Sequence, residues 1–529
     1  MSVVHSVCTF YGMLPPMLLA LGTVASLSDG VVSSLDSSGA LSVTLKTGEV
    51  IIDRWVPEVV AGLKTSVSIA DGGFDIEVTR DNTADPQPYR VPPWSLPRLS
   101  LGANVAAYDF SGSGWPELMG TQSRRLQATY PNELYAPVAV LRTASVAVGV
   151  AVMYPILEYR HDVSIAIEPT RFGDWRIDAA PCQTGRTGDL WWGHDAQVVG
   201  PQTWTWRISW RFTTESNNWN STLSPYVEWF RKKYGSVTYT RDSRPIRGLA
   251  LASMADQTTS NPGGWTRDFS APDVDGYQGA AYQTARLFQQ WKRLIWWAPS
   301  GLAVKNPQLN YPYQFASRWT SQCAEVPEAL RRAPAMIRAI PVPPGGAFGL
   351  WWGHAAEQTP CFDSIPSVRV DPTNSDMMAQ HLAELKCGSI QPVTLIGLDA
   401  FAHSHNPIWN LVPILTQMQQ VAPDVKFCTE GQGCDVLHRL APTWVDAYRT
   451  APFRDGENER IRGPHVLADL ILPGHEMWAG MCFDRSADPN LFGPSVSASE
   501  IRRRVLSVMS FGYVPVLFTD VDLSPQSPQ

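Results

Sequence analysis

Three acidic residues stand at or near the ends of consecutive apolar runs within residues 392–450. VTLIGLD ends on Asp399, VKFCTE ends on Glu430, and TWVDAY carries Asp446. Two carboxyl groups flanking a scissile bond, one ionised and one protonated, are what hydrolysis of a glycosidic bond requires. The competing role for either is to cap a helix or to pair with an arginine. Asp446 alternates with Trp444 and Tyr448 and would share their face. From there it could hydrogen-bond a sugar hydroxyl or tune Glu430, with a structural network as the competing role.

Other residues fit around such a pair. Trp297, Trp352 and His354 fall at the ends of two earlier apolar runs, where stacking platforms for sugars and hydroxyl contacts are expected. His403 and His405 follow Asp399 in FAHSHNP. Two histidines at this spacing could ligate a metal, but the sequence signposts no third ligand, so a hydrogen bond to substrate or to Glu430 is expected of His403. His475 and Glu476, in LPGHEMW, support a different pairing, with Glu476 as nucleophile and His475 on a hydroxyl. That pairing wants Asn-Glu at the end of the fourth strand, where this chain has Leu398-Asp399. Asp520 ends the last apolar run and is a candidate sugar contact; a helix cap or a loop ion pair competes there. No GxSxG elbow, Walker loop, HExxH, or GxGxxG after a strand occurs, so no cofactor and no metal are expected.

The elements that must carry these residues change character along the chain. Residues 30–222 read as β throughout, with runs such as TWTWRISWRF that place Trp204, Trp206, Ile208 and Trp210 on one face. Many strands without helices make a β-sandwich. Residues 223–245 hold a short amphipathic helix, YVEWFRKKYG, read as a connector. From 246 to 529, strand-like runs begin near 248, 293, 347, 393, 425, 443, 465 and 513, with helical patterns between most of them. Strands alternating with helices are the pattern of a (β/α)8 barrel, whose chemistry sits at the carboxyl ends of its strands. Asp399 and Glu430 then share one mouth. Two features depart from an ideal barrel. The sixth crossover, 451–464, is polar, and the chain ends nine residues after Asp520, which predicts a missing last helix. The N-terminal segment or a partner chain would then complete the barrel; the sequence leaves the oligomeric state open. The pentapeptide LWWGH occurs at 190–194 and at 350–354, one copy in each proposed domain, and is read as coincidence.

An Asp ending one strand, TEG ending the next and an Asp within the following one resemble the barrels of bacterial glycoside hydrolases of the endo-α-N-acetylgalactosaminidase type and related uncharacterised barrels. The match is good over about 60 residues and holds elsewhere in outline. The resemblance implies an N-terminal β-supersandwich before the catalytic barrel, Asp399 as nucleophile and Glu430 as acid/base. In the α-galactosidase-like clan the acid lies on the sixth strand, which makes Asp446 the runner-up proton donor. Against the family pattern, the sequence as read is expected to be without the usual C-terminal β domain. Carboxyls on neighbouring strands would be close, which predicts a retaining reaction.

Composition bounds the alternatives. The 529 residues carry a net charge of −7, with 44% hydrophobic and 17% charged residues. No stretch is dense in Lys or Arg, which excludes a duplex nucleic-acid binder. The expected partner is a carbohydrate. Tryptophan is abundant, at 21 copies, for cores or for a sugar cleft. The eight cysteines are scattered without zinc spacing. Residues 1–29 form an N-terminal segment whose apolar run resembles a secretory signal but lacks Lys or Arg ahead of it, and the run is too short to span a bilayer. Localisation stays open, with the cell exterior or surface favoured, and no integral membrane segment is expected. The rival to an enzyme is a non-catalytic carbohydrate-binding or structural protein, such as a surface or virion component, built on a glycosidase-like barrel.

Overall fold

The computed structural model describes residues 24–28, 30–59, 62–81, 96–102, 105–111, 117–119, 126–170, 174–182, 203–250, 276–297, 333–353, 355–358, 368–399, 401–402, 406–430, 433–449, 466–482 and 497–517. Of Trp297 and Asp446 it describes the backbone.

The N-terminal part is antiparallel β. It holds two four-stranded sheets and one of seven strands. The strand Thr203–Thr213 shows why the chain folds this way. Its alternation buries Trp204, Trp206, Ile208, Trp210 and Phe212, and its neighbour Gly73–Asp81 buries Phe74, Ile76 and Val78. Phe74 stacks on Trp210 with ring centroids 5.7 Å apart. The next strand of this sheet, Ala147–Met153, is buried at every position, so both of its faces are covered. One cover is the connector, a 3-10 helix Ser216–Leu223 running into an α-helix Ser224–Tyr234. Gly149 admits it: a Cβ there would meet the Thr222 hydroxyl at 2.1 Å. The α-helix opens with Pro225 in its first turn and closes with Arg231, Lys232 and Lys233, which suit the negative end of its dipole.

A closed barrel of eight parallel strands follows: Ile246–Ala250, Arg293–Trp297, Ala347–Trp352, Val393–Leu398, Lys426–Glu430, Thr443–Arg449, Met477–Cys482 and Val514–Leu517. The last pairs with the first, Ile246 opposite Val516, so the ring closes. Its interior holds Ile246, Ile295, Trp351, Leu395, Cys428, Trp444, Trp478, Val514 and Val516, and helices such as Ser375–Gly388, Ile408–Val421 and Ala498–Ser510 cover the outside. One expectation is corrected. Residues 465–472 were expected as the seventh strand, but Val466–Ile471 is a helix and the strand is Met477–Cys482. A short apolar run does not distinguish the two by period.

The two parts are joined by buried polar contacts on one short helix, Asp435–His438. Tyr130 of the β region donates to Asp435 Oδ1 at 2.7 Å, and Tyr226 of the connector donates to Oδ2 at 2.6 Å. Tyr135 meets His438 Nδ1 at 2.8 Å, while His438 Nε2 lies 3.1 Å from the Glu476 carbonyl. A neutral ring that donates from Nε2 and accepts at Nδ1 satisfies both. Burial supports that state by pushing the His438 pKa down to about 3. Among the described residues, no helix is long and apolar enough to cross a membrane. Cys387, Cys428 and Cys434 are free, the last two buried. The expected signal-like run, 13–25, lies outside the described residues except at its last two positions.

Candidate active site

Register aligns the ends of the two strands that carry the carboxylates. The fourth and fifth barrel strands pair as Leu395–Lys426, Ile396–Phe427, Gly397–Cys428 and Leu398–Thr429. Asp399 and Glu430 are the residues immediately after the last pair, on strands that run about 4.8 Å apart. Side chains alternate along a strand. Leu395 and Cys428 point into the barrel, so Asp399 and Glu430, each an even number of residues further on, occupy inward positions at the carboxyl ends. Glu430 also adds to the negative potential that, after burial and Glu476, raises the pKa of the inward Cys428.

The backbone of Asp399 is fixed from both sides: its N–H donates to the Trp352 carbonyl at 2.8 Å, and its carbonyl accepts from Ala355 at 3.1 Å. The Glu430 carbonyl accepts from Ala402 at 2.9 Å. Asp399 is 7% exposed, and the indole N–H of Trp351 reaches its Oδ1 at 3.3 Å. Trp351 meets Trp444 edge to face, centroids 4.9 Å apart. Each indole lies over a glycine of the next strand. A Cβ on Gly397 would sit 1.9 Å from Trp351, and one on Gly480 would sit 2.2 Å from Trp444. These rings fill the barrel interior next to Asp399.

Trp351, Trp444, Gly397 and Gly480 were missed by sequence reasoning. The signal that could have found them is a glycine inside a strand, which marks close approach of another group. Trp352, expected as a sugar platform, is fully buried on the opposite face and stacks on His381 of the helix layer, centroids 4.7 Å apart. Alternation sends one member of the Trp351–Trp352 pair inward and the other outward.

Glu476 and His475 are at the other end of the barrel. Glu476 precedes the seventh strand and is fully buried. It accepts from Lys426 Nζ at 2.7 Å, Trp478 Nε1 at 2.6 Å and the Asp242 N–H at 2.9 Å, and lies 3.4 Å from Arg293 Nη2. Arg293 and Lys426 each begin their strands. This is an ion network closing the amino end of the barrel. His475 packs edge to face against His438 and lies 3.7 Å from Asp469. Its pKa is lowered by burial. Both were expected near the mouth only because the seventh strand was placed too early.

Trp297 ends the second strand, paired with Ala250, two residues beyond the inward Ile295. Asp446 lies two residues beyond the inward Trp444, at the register of Gly480. His354, His403 and Asp520 lie outside the described residues. Among the described residues, no group of three His, Cys, Asp or Glu side chains could hold a metal ion.

No family model and no curated protein match the sequence. Solved structures do resemble the fold. α-N-acetylgalactosaminidase NagBb from Bifidobacterium bifidum superposes with a TM-score of 0.52 at 12% identity, over 95% of this chain and 91% of that one. The α-galactosidase TtGalA from Thermus thermophilus gives 0.41 at 11% identity, over 89% and 96%. A GH31 α-xylosidase from a soil metagenome gives 0.39 at 8%, over 84% and 63%. The likeness to NagBb spans both parts of the chain and shows the fold: an antiparallel β region followed by a TIM-type barrel.

Proposed function

We propose that the chain is a glycoside hydrolase acting on an O-glycosidic bond of a polysaccharide or glycan, by a retaining double displacement. The observation that supports the reading is the Leu398–Thr429 register, the last pair of the ladder before Asp399 and Glu430 at the carboxyl ends of adjacent strands. Carboxyls about 5–5.5 Å apart belong to retention, whereas inversion needs roughly 6.5–9.5 Å to admit a water between them.

In the first step the Asp399 carboxylate attacks the anomeric carbon, forming a C–O bond as the bond to the leaving oxygen breaks. Glu430 delivers its proton to that oxygen. In the second step Glu430, now ionised, takes a proton from water, whose oxygen attacks the anomeric carbon and releases Asp399. The Trp351 N–H donates to Oδ1 of the nucleophile and helps to orient it. Asp446 and Trp297 are assigned to substrate, on register position, with Asp446 the alternative acid; His354, His403 and Asp520 are further candidate contacts.

The test is turnover on a panel of aryl glycosides. Asp399→Asn is expected to lower kcat by about 10³-fold or more while sugar binding persists. If the variant hydrolyses sugars as well as the parent, the assignment fails. A parent chain that binds sugar but turns over no glycoside supports the non-catalytic rival.

A further inference from the structure

A second concave site lies on the β region, where the connector helix stands over the outer face of the seven-stranded sheet. Two adjoining cavities of about 540 and 300 Å³ share Arg207 and Trp229. Ligand sites typically occupy 300–1,000 Å³. The sheet supplies the floor. Asp75 binds two arginines there, Arg211 at 2.8 Å and Arg207 at 3.6 Å. Arg211 is held further by the Phe74 and Trp210 carbonyls at 3.0 and 2.9 Å, whereas the Arg207 side chain keeps 42% of its surface exposed. The helix supplies the wall, with Trp229 half-buried and Glu228 and Lys232 exposed. Tyr226 and Tyr234 clamp the indole, with centroids 5.5 and 5.7 Å away.

From this we infer that the groove is a binding site for an uncharged oligosaccharide, separate from the barrel mouth. The charge balance selects the ligand class. Arg207 and Arg211 pair with Asp75 and Lys233 pairs with Glu158, while Asp71, Glu77 and Glu228 line the same groove as Lys232. A phosphate or sulfated chain would find three of the four cations already paired and would meet the Asp71, Glu77 and Glu228 carboxylates in the same lining. A neutral sugar uses such a lining differently: guanidinium N–H groups donate to its hydroxyl oxygens and carboxylates accept from its hydroxyls. Its apolar ring face needs a fixed aromatic surface, and Trp229 is one. Binding there needs no turnover in the barrel.

The test is native affinity electrophoresis of the full chain carrying Asp399→Asn, in gels containing galactomannan, arabinoxylan or soluble starch, with heparin as the anionic probe. At least one neutral gel is expected to retard the chain. Adding Trp229→Ala, or separately Arg207→Ala or Glu228→Ala at exposed positions, is expected to cut that retardation, with melting temperature and circular dichroism showing that each variant is folded. Retardation unchanged by Arg207→Ala and Glu228→Ala would mean that sugar binds elsewhere and overturns the inference. So would retardation by heparin alone, or by none of the neutral gels. Turnover of aryl glycosides is read separately, so failure of the barrel as an enzyme and failure of the groove are distinguishable.

Discussion

The indole N–H of Trp351 reaches across to the neighbouring strand and meets Asp399 Oδ1 at 3.3 Å, while the same ring packs against Gly397 two residues earlier on that strand. One side chain therefore both fills the barrel and holds the candidate nucleophile. Trp351→Phe keeps most of the ring and removes the donor. A hydrogen bond to a charged group contributes about 1.5–3 kcal/mol. At this length the lower end applies, so kcat on an aryl glycoside should fall roughly tenfold with little change in melting temperature. Unchanged kcat would remove Trp351 from the positioning of Asp399.

Gly397→Ala and Gly480→Ala probe the same packing from below. Their methyl groups would lie 1.9 Å from Trp351 and 2.2 Å from Trp444, which no rotamer relieves without moving an indole. Overpacking of this kind costs about 1–3 kcal/mol, read by urea unfolding. Because the two indoles touch, the double variant should cost less than the sum of the singles, since one displaced ring makes room for the other.

How far the sequence could be read depended on whether local pattern or strand pairing settled the question. Asp399 and Glu430 end strongly β-like runs, so their strands and their common end of the barrel followed from the runs themselves. Trp351 and Trp352 are both apolar and adjacent, and only the pairing of Leu350 with Ile396 and Trp352 with Leu398 decides which faces inward. Glu476 was lost to a different ambiguity. Reading residues 465–472 as a strand put it at the mouth, and because they form a helix it belongs to the opposite end. The contacts of Asp435 with Tyr130 and Tyr226 span 305 and 209 residues, beyond the reach of any local pattern.

Glu430→Gln separates acid catalysis from folding. The amide cannot donate the proton that a poor leaving group needs, so alkyl glycosides should be cleaved far more slowly. Dinitrophenyl glycosides, whose leaving oxygen needs no proton, should still release phenolate in a first-turnover burst. An equal loss on both substrates would reassign the acid, with Asp446 next in line.

Glu476→Gln should behave in the opposite way. It leaves Arg293 and Lys426 in a closed interior without their shared carboxylate. Breaking a buried pair from one side costs about 3–5 kcal/mol. The variant should unfold at lower urea, and the surviving folded fraction should keep the parent's kcat. A variant of normal stability with kcat selectively abolished would restore Glu476 to the catalytic candidates.

Asp435 supplies a pH dependence whose sign is fixed by its surroundings. Burial raises its pKa to about 7, against an ordinary value of 3.8, and the Tyr130 and Tyr226 hydroxyls offset only part of that shift. Between these two values the unfolded chain has released the proton and the folded chain still holds it. Folding therefore loses stability from this group as pH rises from about 4 to about 7, and no more above that. His381 and His438 act the other way. Burial lowers each to about 3, so the folded chain loses stability through them as pH falls below about 6.5. The opposing slopes overlap in the wild type, and comparison with Asp435→Asn isolates one of them. Urea unfolding at pH 4.5, 6 and 7.5 should show the stability of the wild type, relative to the variant, falling by a few kcal/mol across the series. A difference that is flat or rises with pH would mean that Asp435 is ionised in the folded chain throughout, held so by its two phenol donors.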